Sequence, residues 1–224
     1  MSCNASDKEL IVVGLGEALF DCFENRSLLG GAPVNFTVHI HRLLADNGGG
    51  GVLVSRVGDE PLGKQVVAEV ASRGVVTEHI QVDSQRPTGR VNVEVGPDGS
   101  PTYEIQENVA WDAIQYNAAT RALARQVDAV CFGSLAQRSE SSRAAIREFL
   151  GDAQQAVRLF DVNLRQSFYD REVLHASFQA ATIVKLNEEE LYIVADLLFE
   201  QDTGNKDEAA CLKRLTATYP HELL

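Results

Sequence analysis

The chain has 224 residues, of which 45% are hydrophobic and 23% charged, and its formal net charge is −12. That length suits one domain of ordinary to large size, and the composition excludes long disorder, collagen and coiled coil. An acidic chain with no Lys/Arg run has no electrostatic footprint for nucleic acid or an anionic membrane, so any phosphate must be met by a few placed cations, helix N-termini or a divalent metal. Apolar runs such as residues 10–13 are too short to span a bilayer. The N-terminus lacks the basic region and long apolar stretch of a signal peptide. The four cysteines (Cys3, Cys22, Cys131, Cys211) are scattered without a CxxC pair, which points to a reduced, cytoplasmic setting rather than to zinc or disulfides.

In chain order, residues 10–14 form a short apolar run ending at glycine, which predicts a strand, and residues 18–23 predict a second. Leu29-Gly30-Gly31-Ala32-Pro33 reads as a turn opening a helix over 34–44. The glycines of 46–51 read as a flexible loop. Residues 51–57 predict a buried strand, and Asp59-Glu60-Pro61 starts a helix that Gly74 stops in a left-handed cap. The period then changes. Residues 88–95 alternate, with Val91, Val93 and Val95 on one face, and Pro97-Asp98-Gly99 turns the chain into a second extended run over 102–105. This hairpin interrupts an otherwise alternating βα series and reads as an appendage to the main sheet.

Beyond it, helices are expected over 112–125, 139–150, 171–180, 187–198 and 206–218, the second capped by Ser139 or a neighbour. Strands are expected over 127–133, 157–161 and 182–186. Strands separated by helix-length segments favour a mostly parallel sheet with helices on both faces. Tyr219-Pro220-His221-Glu222-Leu223-Leu224 stands where the series calls for another strand, as if the architecture were cut part-way.

Several catalytic patterns fail. Gly14-Leu15-Gly16-Glu17 begins like a dinucleotide fingerprint, but the third glycine it needs is Leu19 and the segment that follows reads as extended. No GxxxxGK[ST], GxSxG or HExxH is present. What remains is a set of polar residues at the C-terminal ends of strands, the edge where open α/β sheets bind ligands. Asp161-Val162-Asn163-Leu164-Arg165 ends one strand, Lys185-Leu186-Asn187-Glu188-Glu189-Glu190 ends the next, Asp21 follows the first, and Gly30, Gly31 and Asn35 stand at the first helix. Plainer readings stand beside these. Asn187 and Glu190 suit a capping box, and Asp161 and Asn163 suit a turn. Lys185 interrupts an apolar strand at its exit, and Arg165 offers a planar fork for phosphate or carboxylate.

The order of these segments resembles the PfkB (ribokinase-like) carbohydrate kinases, within them the fructokinase-like branch. The resemblance runs from about residue 11 to 190. It rests on Gly16-Glu17-Ala18-Leu19-Phe20-Asp21, Gly30-Gly31-Ala32-Pro33-Val34-Asn35, Val57-Gly58-Asp59 through Gly63, Pro87-Thr88-Gly89, Phe132-Gly133-Ser134-Leu135-Ala136 and the two strand-end segments at 161–165 and 185–191. It implies a single PfkB-type α/β domain over 1–224, a Rossmann-like, mostly parallel sheet flanked by helices. A small β lid, formed by about 17–29 and 86–108, would cover a sugar site. The C-terminal portion of the fold would be missing.

It further implies a kinase moving a phosphoryl group from ATP, with Mg²⁺, to a primary sugar hydroxyl. Sugar would be held by Asp21, Gly30, Gly31, Asn35, Asn163 and Arg165. Lys185 and Asn187 would serve the nucleotide phosphates, and Glu190 would reach Mg²⁺ through water. A homodimer through the lid valines, no membrane and no nucleic acid complete the expectation. The family's catalytic Asp lies in a GAGD-type segment, absent from these 224 residues, and Asp202-Thr203-Gly204 is no substitute. The chain alone is therefore expected to be inactive. Fructose is the expected sugar. The alternatives are 2-keto-3-deoxygluconate, ribose or a nucleoside as substrate, and a non-catalytic sugar-binding or structural remnant.

Overall fold

A computed structural model describes residues 9–95, 101–199, 207–219 and 222–223. The 97–99 turn, Cys3 and the 202–204 segment lie outside the described residues. Two sheets organise the chain. The larger has seven strands: β1 (Ile11–Leu15), β4 (Gly50–Gly58), β5 (Ile80–Asp83), β8 (Ala129–Gly133), β9 (Val157–Asp161), β10 (Ile183–Lys185) and β11 (Glu222–Leu223). Their order is β11-β10-β9-β8-β1-β4-β5, and every pairing is parallel. Helices α1 (Ala32–Leu44), α2 (Pro61–Ser72), α3 (Ala118–Ala124), α4 (Glu140–Asp152), α5 (Arg171–Ala180), α6 (Glu188–Phe199) and α7 (Glu208–Thr218) fall between or after the strands. The result is the expected α/β fold, with a parallel sheet flanked by helices. Alternation along β4 shows why both faces are covered. Val52 and Val54 belong to one apolar cluster, and Leu53 and Val57 to another. A Phe132–Phe160–Phe178 series, with centroids 5.2 and 5.8 Å apart, fills the first cluster.

The smaller sheet has the order β3-β2-β6-β7, with β2 (Leu19–Phe23), β3 (Arg26–Gly30), β6 (Gly89–Val95) and β7 (Pro101–Ile105). The β2–β3 and β6–β7 pairs are antiparallel hairpins joined by a parallel β2–β6 pairing. This is the expected β-strand lid, with one correction. Val91 is not a wet apolar residue awaiting a second copy, because it is 6% exposed and packs into the core of its own chain. The side chains of Val93 and Val95 fall outside the described set.

Three further readings change. Strands β3 and β5 were not expected. The helix expected over 112–125 is a 3₁₀ turn at Ala110–Ala113, a break, and then α3, which Asn117 caps by accepting from the N–H groups of Ala119 and Thr120. Ser139 occupies the N-cap position of α4, but its side chain makes no capping bond. Gly74 does have the left-handed backbone expected of it, with φ 85°.

The smaller sheet is tied to the body by a buried joint. The Nε and Nη2 atoms of Arg138 each donate to a different oxygen of Asp112 at 2.8 Å, and Nη2 also donates to the Gln106 carbonyl just past β7. The guanidinium lies between the rings of Trp111 and Phe168, 4.0 and 4.6 Å from their centroids. Both charged side chains are under 10% exposed. Replacing Arg138 with Leu leaves the Asp112 carboxylate buried and unpaired, a loss of about 3–5 kcal/mol. Arg138→Lys keeps the charge without the planar fork and loses about 1–3 kcal/mol. Chemical denaturation of the two variants should rank them in that order.

Candidate functional site

Helix α1 fixes one wall of the site. It lies against β1 and β4 where no side chain intervenes. A Cβ on Gly14 would collide with Thr37 Oγ1 and the Pro33 carbonyl, and one on Gly51 would fall 2.6 Å from the Thr37 carbonyl. The helix opens at Gly31, whose φ of 107° favours glycine and whose Cα faces the Glu17 carbonyl with no room for a side chain. Its first N–H, that of Ala32, is taken by Glu17 just past the end of β1.

The second wall is the loop after β9. Asn163 and Gln166 both hold left-handed backbone, with φ 40° and 49°, a conformation that costs a non-glycine residue about 1–3 kcal/mol. Two hydrogen bonds sustain it. Glu190 Oε1 accepts the Leu164 N–H at 2.9 Å, and Gln166 Nε2 donates to the Tyr103 carbonyl on β7 at 2.7 Å. The loop thus bridges the two sheets. Between it, α1 and the smaller sheet lies a cavity of about 800 Å³.

Of the residues singled out from sequence, Asp21, Gly31, Asn35, Asn163 and Arg165 line this cavity together. Gly30 stands just behind, close enough to Asp21 that a Cβ there would be 2.7 Å from Asp21 Oδ2. Burial raises the Asp21 carboxyl above its ordinary range, and the Arg165 guanidinium opposes that rise. Arg165 itself is exposed and donates to the Leu164 carbonyl at 3.0 Å.

Lys185, Asn187 and Glu190 do not line the cavity. Lys185 Nζ sits 3.0 Å from Asp161 Oδ1, and it is Asp161 that lines the wall. Asn187 and Glu190 form a reciprocal capping box. Asn187 Oδ1 accepts the Glu190 N–H at 2.9 Å, and Glu190 Oε2 accepts the Asn187 N–H at 3.0 Å. Asn187 also borders a second hollow of about 420 Å³ with Leu186, Leu191, Leu212 and Thr216. Among the described residues no group of three His, Cys, Asp or Glu side chains could hold a metal ion.

Glu17 was not singled out as a site residue, yet it lines the cavity and is 3% exposed. Its Oε1 accepts the Ala32 N–H at 3.2 Å, and its buried Oε2 has no partner. Its one signal in the sequence is a carboxylate within an apolar run. Burial pushes its pKa from 4.5 up to about 7; hydrogen bonds from backbone N–H groups and the Arg165 charge oppose this, and Asp161 adds to it.

Residues 4–222 match the pfkB family carbohydrate kinases. The chain belongs to this family. Within it, the chain is 29% identical to the fructokinase of Klebsiella pneumoniae over 222 residues, 94% of this chain and 68% of that one. An uncharacterized sugar kinase of Pyrococcus horikoshii, solved in complex with ATP, superposes with a TM-score of 0.75 at 28% identity, over 84% of this chain and 66% of that one. The Xylella fastidiosa fructokinase, solved with bound ATP, shares the fold with a TM-score of 0.79 at 24% identity, over 95% of this chain and 66% of that one. The sequence match covers 53% of the Pyrococcus protein, so the chain spans about half to two thirds of its relatives' length. Among the described residues no helix is long and apolar enough to cross a membrane.

The raised Glu17 pKa has a stability consequence with a definite sign. A carboxyl whose folded pKa lies above its unfolded value contributes most below about 4.5, and that contribution is lost as pH rises through about 7. The span corresponds to at most about 3 kcal/mol. The wild-type chain should therefore lose stability between pH 5 and pH 8, and Glu17→Gln should flatten that decline. Thermal or urea unfolding at both pH values measures the difference.

Proposed function

We propose that this chain carries the sugar-binding part of a PfkB-family phosphotransferase that moves the γ-phosphoryl group of ATP to a primary hydroxyl of a sugar, with fructose the favoured substrate. The observation that carries this reading is the placement of Asp21, the Gly31 helix start, Asn35, Asn163 and Arg165 around one cavity between the two sheets. Similarity to the Klebsiella fructokinase along nearly the whole chain supports fructose.

The resemblance to the family assigns the roles, and the chemistry of each group suits them. Asp21, on the smaller sheet, is an acceptor that takes hydrogen from sugar hydroxyls. Gly30 and Gly31 let the ligand approach the backbone at the start of α1. Asn35 and Asn163 each offer both a donor and an acceptor. Arg165 is the fork that meets the oxygens of a phosphate or a sugar. Lys185 and Asn187 serve the nucleotide phosphates. Glu190 keeps both oxygens on backbone N–H groups and would hold Mg²⁺ through water. When bound, Mg²⁺ supplies charge neutralisation at the phosphates.

Transfer also needs an acceptor for the hydroxyl proton and N–H donors for the moving phosphoryl group. Asp161, at the end of β9, is held by Lys185. These 224 residues contain no GAGD segment. We therefore infer binding without turnover for this length of chain.

Isothermal titration calorimetry with fructose and a coupled ADP-release assay test both parts. Saturable binding is expected, weakened at least about 10-fold in Asp21→Ala, which removes hydrogen bonds to a charged group. Sugar-dependent ADP release well above the Asp21→Ala background would overturn the inference of inactivity. The absence of any fructose binding would overturn the sugar-site reading.

A further inference from the structure

Glu17 is left unused by the roles above, and its surroundings point to one. It lines the sugar cavity, its Oε1 is held by the Ala32 N–H at the start of α1, and its Oε2 is buried with no partner. A buried polar atom without a partner is costly, and a native structure usually satisfies it. Here the volume next to the residue is a cavity lined by polar groups, and a polyol carries a hydroxyl donor on nearly every carbon. The last torsion of a glutamate is soft, so the carboxyl can turn Oε2 toward such a donor.

We propose that Glu17 is a sugar-binding residue of this site: its ionised carboxylate holds the Ala32 N–H through Oε1 and accepts a sugar hydroxyl through Oε2, so that sugar binding expels a proton. The inference rests on the sugar-site reading and adds to it a ligand contact and a direction of pH dependence.

The charged and titratable groups around Glu17 allow this assignment. Arg165 and Asp161 act on it from the end of β9 and the loop beyond, and Lys185 at the end of β10 is committed to Asp161. Cys131, on β8, has its thiol pushed far up by burial and does not titrate near neutrality. Asp21, across the cavity on β2, is also raised, chiefly by burial and against the pull of Arg165, and is the competing source of any proton linkage. In the empty cavity a fraction of Glu17 carries its proton at neutral pH. A hydroxyl that donates to Oε2 favours the ionised form, so affinity rises as pH rises. One carboxyl titrating near pH 7 gives about a 10-fold gain between pH 6 and pH 8.

The test is fructose titration of the 224-residue chain at pH 6 and pH 8, each in two buffers of different ionisation enthalpy. Expected are tighter binding at pH 8 by about 10-fold and release of up to one proton per sugar. Glu17→Gln, which keeps the shape and the Ala32 bond, should abolish both the pH dependence and the proton release. In parallel, ¹³C NMR of the wild-type glutamate carboxyls should show one that titrates near 7 in the empty chain and moves down on saturation with fructose. Affinity independent of pH, proton uptake instead of release, or a glutamate carboxyl unmoved by sugar overturns the inference. A pH dependence that survives in Glu17→Gln also overturns it and assigns the linkage to Asp21. Binding that is lost in Asp21→Ala yet flat with pH removes the role of Glu17 alone. No fructose binding at either pH removes it together with the sugar-site reading.

Discussion

The close approach of α1 to the central strands is the constraint on which the site depends. Two residues without side chains, Gly14 on β1 and Gly51 on β4, let the helix settle onto the sheet at backbone distance. That depth sets where its N-terminus emerges, and the N-terminus forms one wall of the cavity. Glu17 then ties the first turn of α1 to the end of β1 through the Ala32 N–H. A helix held further out would carry Gly31 and Asn35 away from Asp21, which belongs to the other sheet.

The cavity belongs to neither sheet alone. Its polar groups come from the ends of the parallel strands, and part of its apolar lining comes from Leu19, Val91 and Ile105 of the smaller sheet. Two kinds of tie cross between the sheets. Arg138, between two rings and paired with buried Asp112, reaches past β7 through an exposed bond to the Gln106 carbonyl. Gln166, reaching from a left-handed loop position to the Tyr103 carbonyl, is a single exposed hydrogen bond. The smaller sheet is held to the body chiefly by Leu19, Val91 and Ile105, which pack into the core of the larger sheet.

Much of this was legible in the sequence, and the gaps have physical causes. The inner strands β1, β4, β8 and β9 read clearly because they are apolar runs covered on both faces. Strands β3 and β5 are edge strands. β3 begins with three exposed residues, and β5 has only four residues in all, so neither carries a strong pattern. The helix expected over 112–125 is broken because Trp111 and Ala113 are buried in a 3₁₀ turn, with Ile114 at its end. That turn packs beneath Arg138. At the site, Asp21, Asn163 and Arg165 stood out as polar residues at strand ends. The Gln166 contact could not be read, because its partner is a backbone carbonyl 63 residues away with no sequence signal. Asn187 and Glu190 were open to two readings, and the structure shows the capping box directly. That box also orients the neighbouring loop, since the same Glu190 holds the Leu164 N–H.

The uniform direction of the seven-strand sheet has a consequence for how such a protein changes over generations. Because every strand runs the same way, the segments following β1, β8, β9 and β10 all emerge at one edge, where buried core residues such as Leu135, Ala136 and Val162 alternate with exposed ones such as Arg165. Inheritance can change the exposed positions of these segments one at a time while their buried members stay fixed. A lineage built on this plan can try new contacts at that edge through short substitutions at the exposed positions.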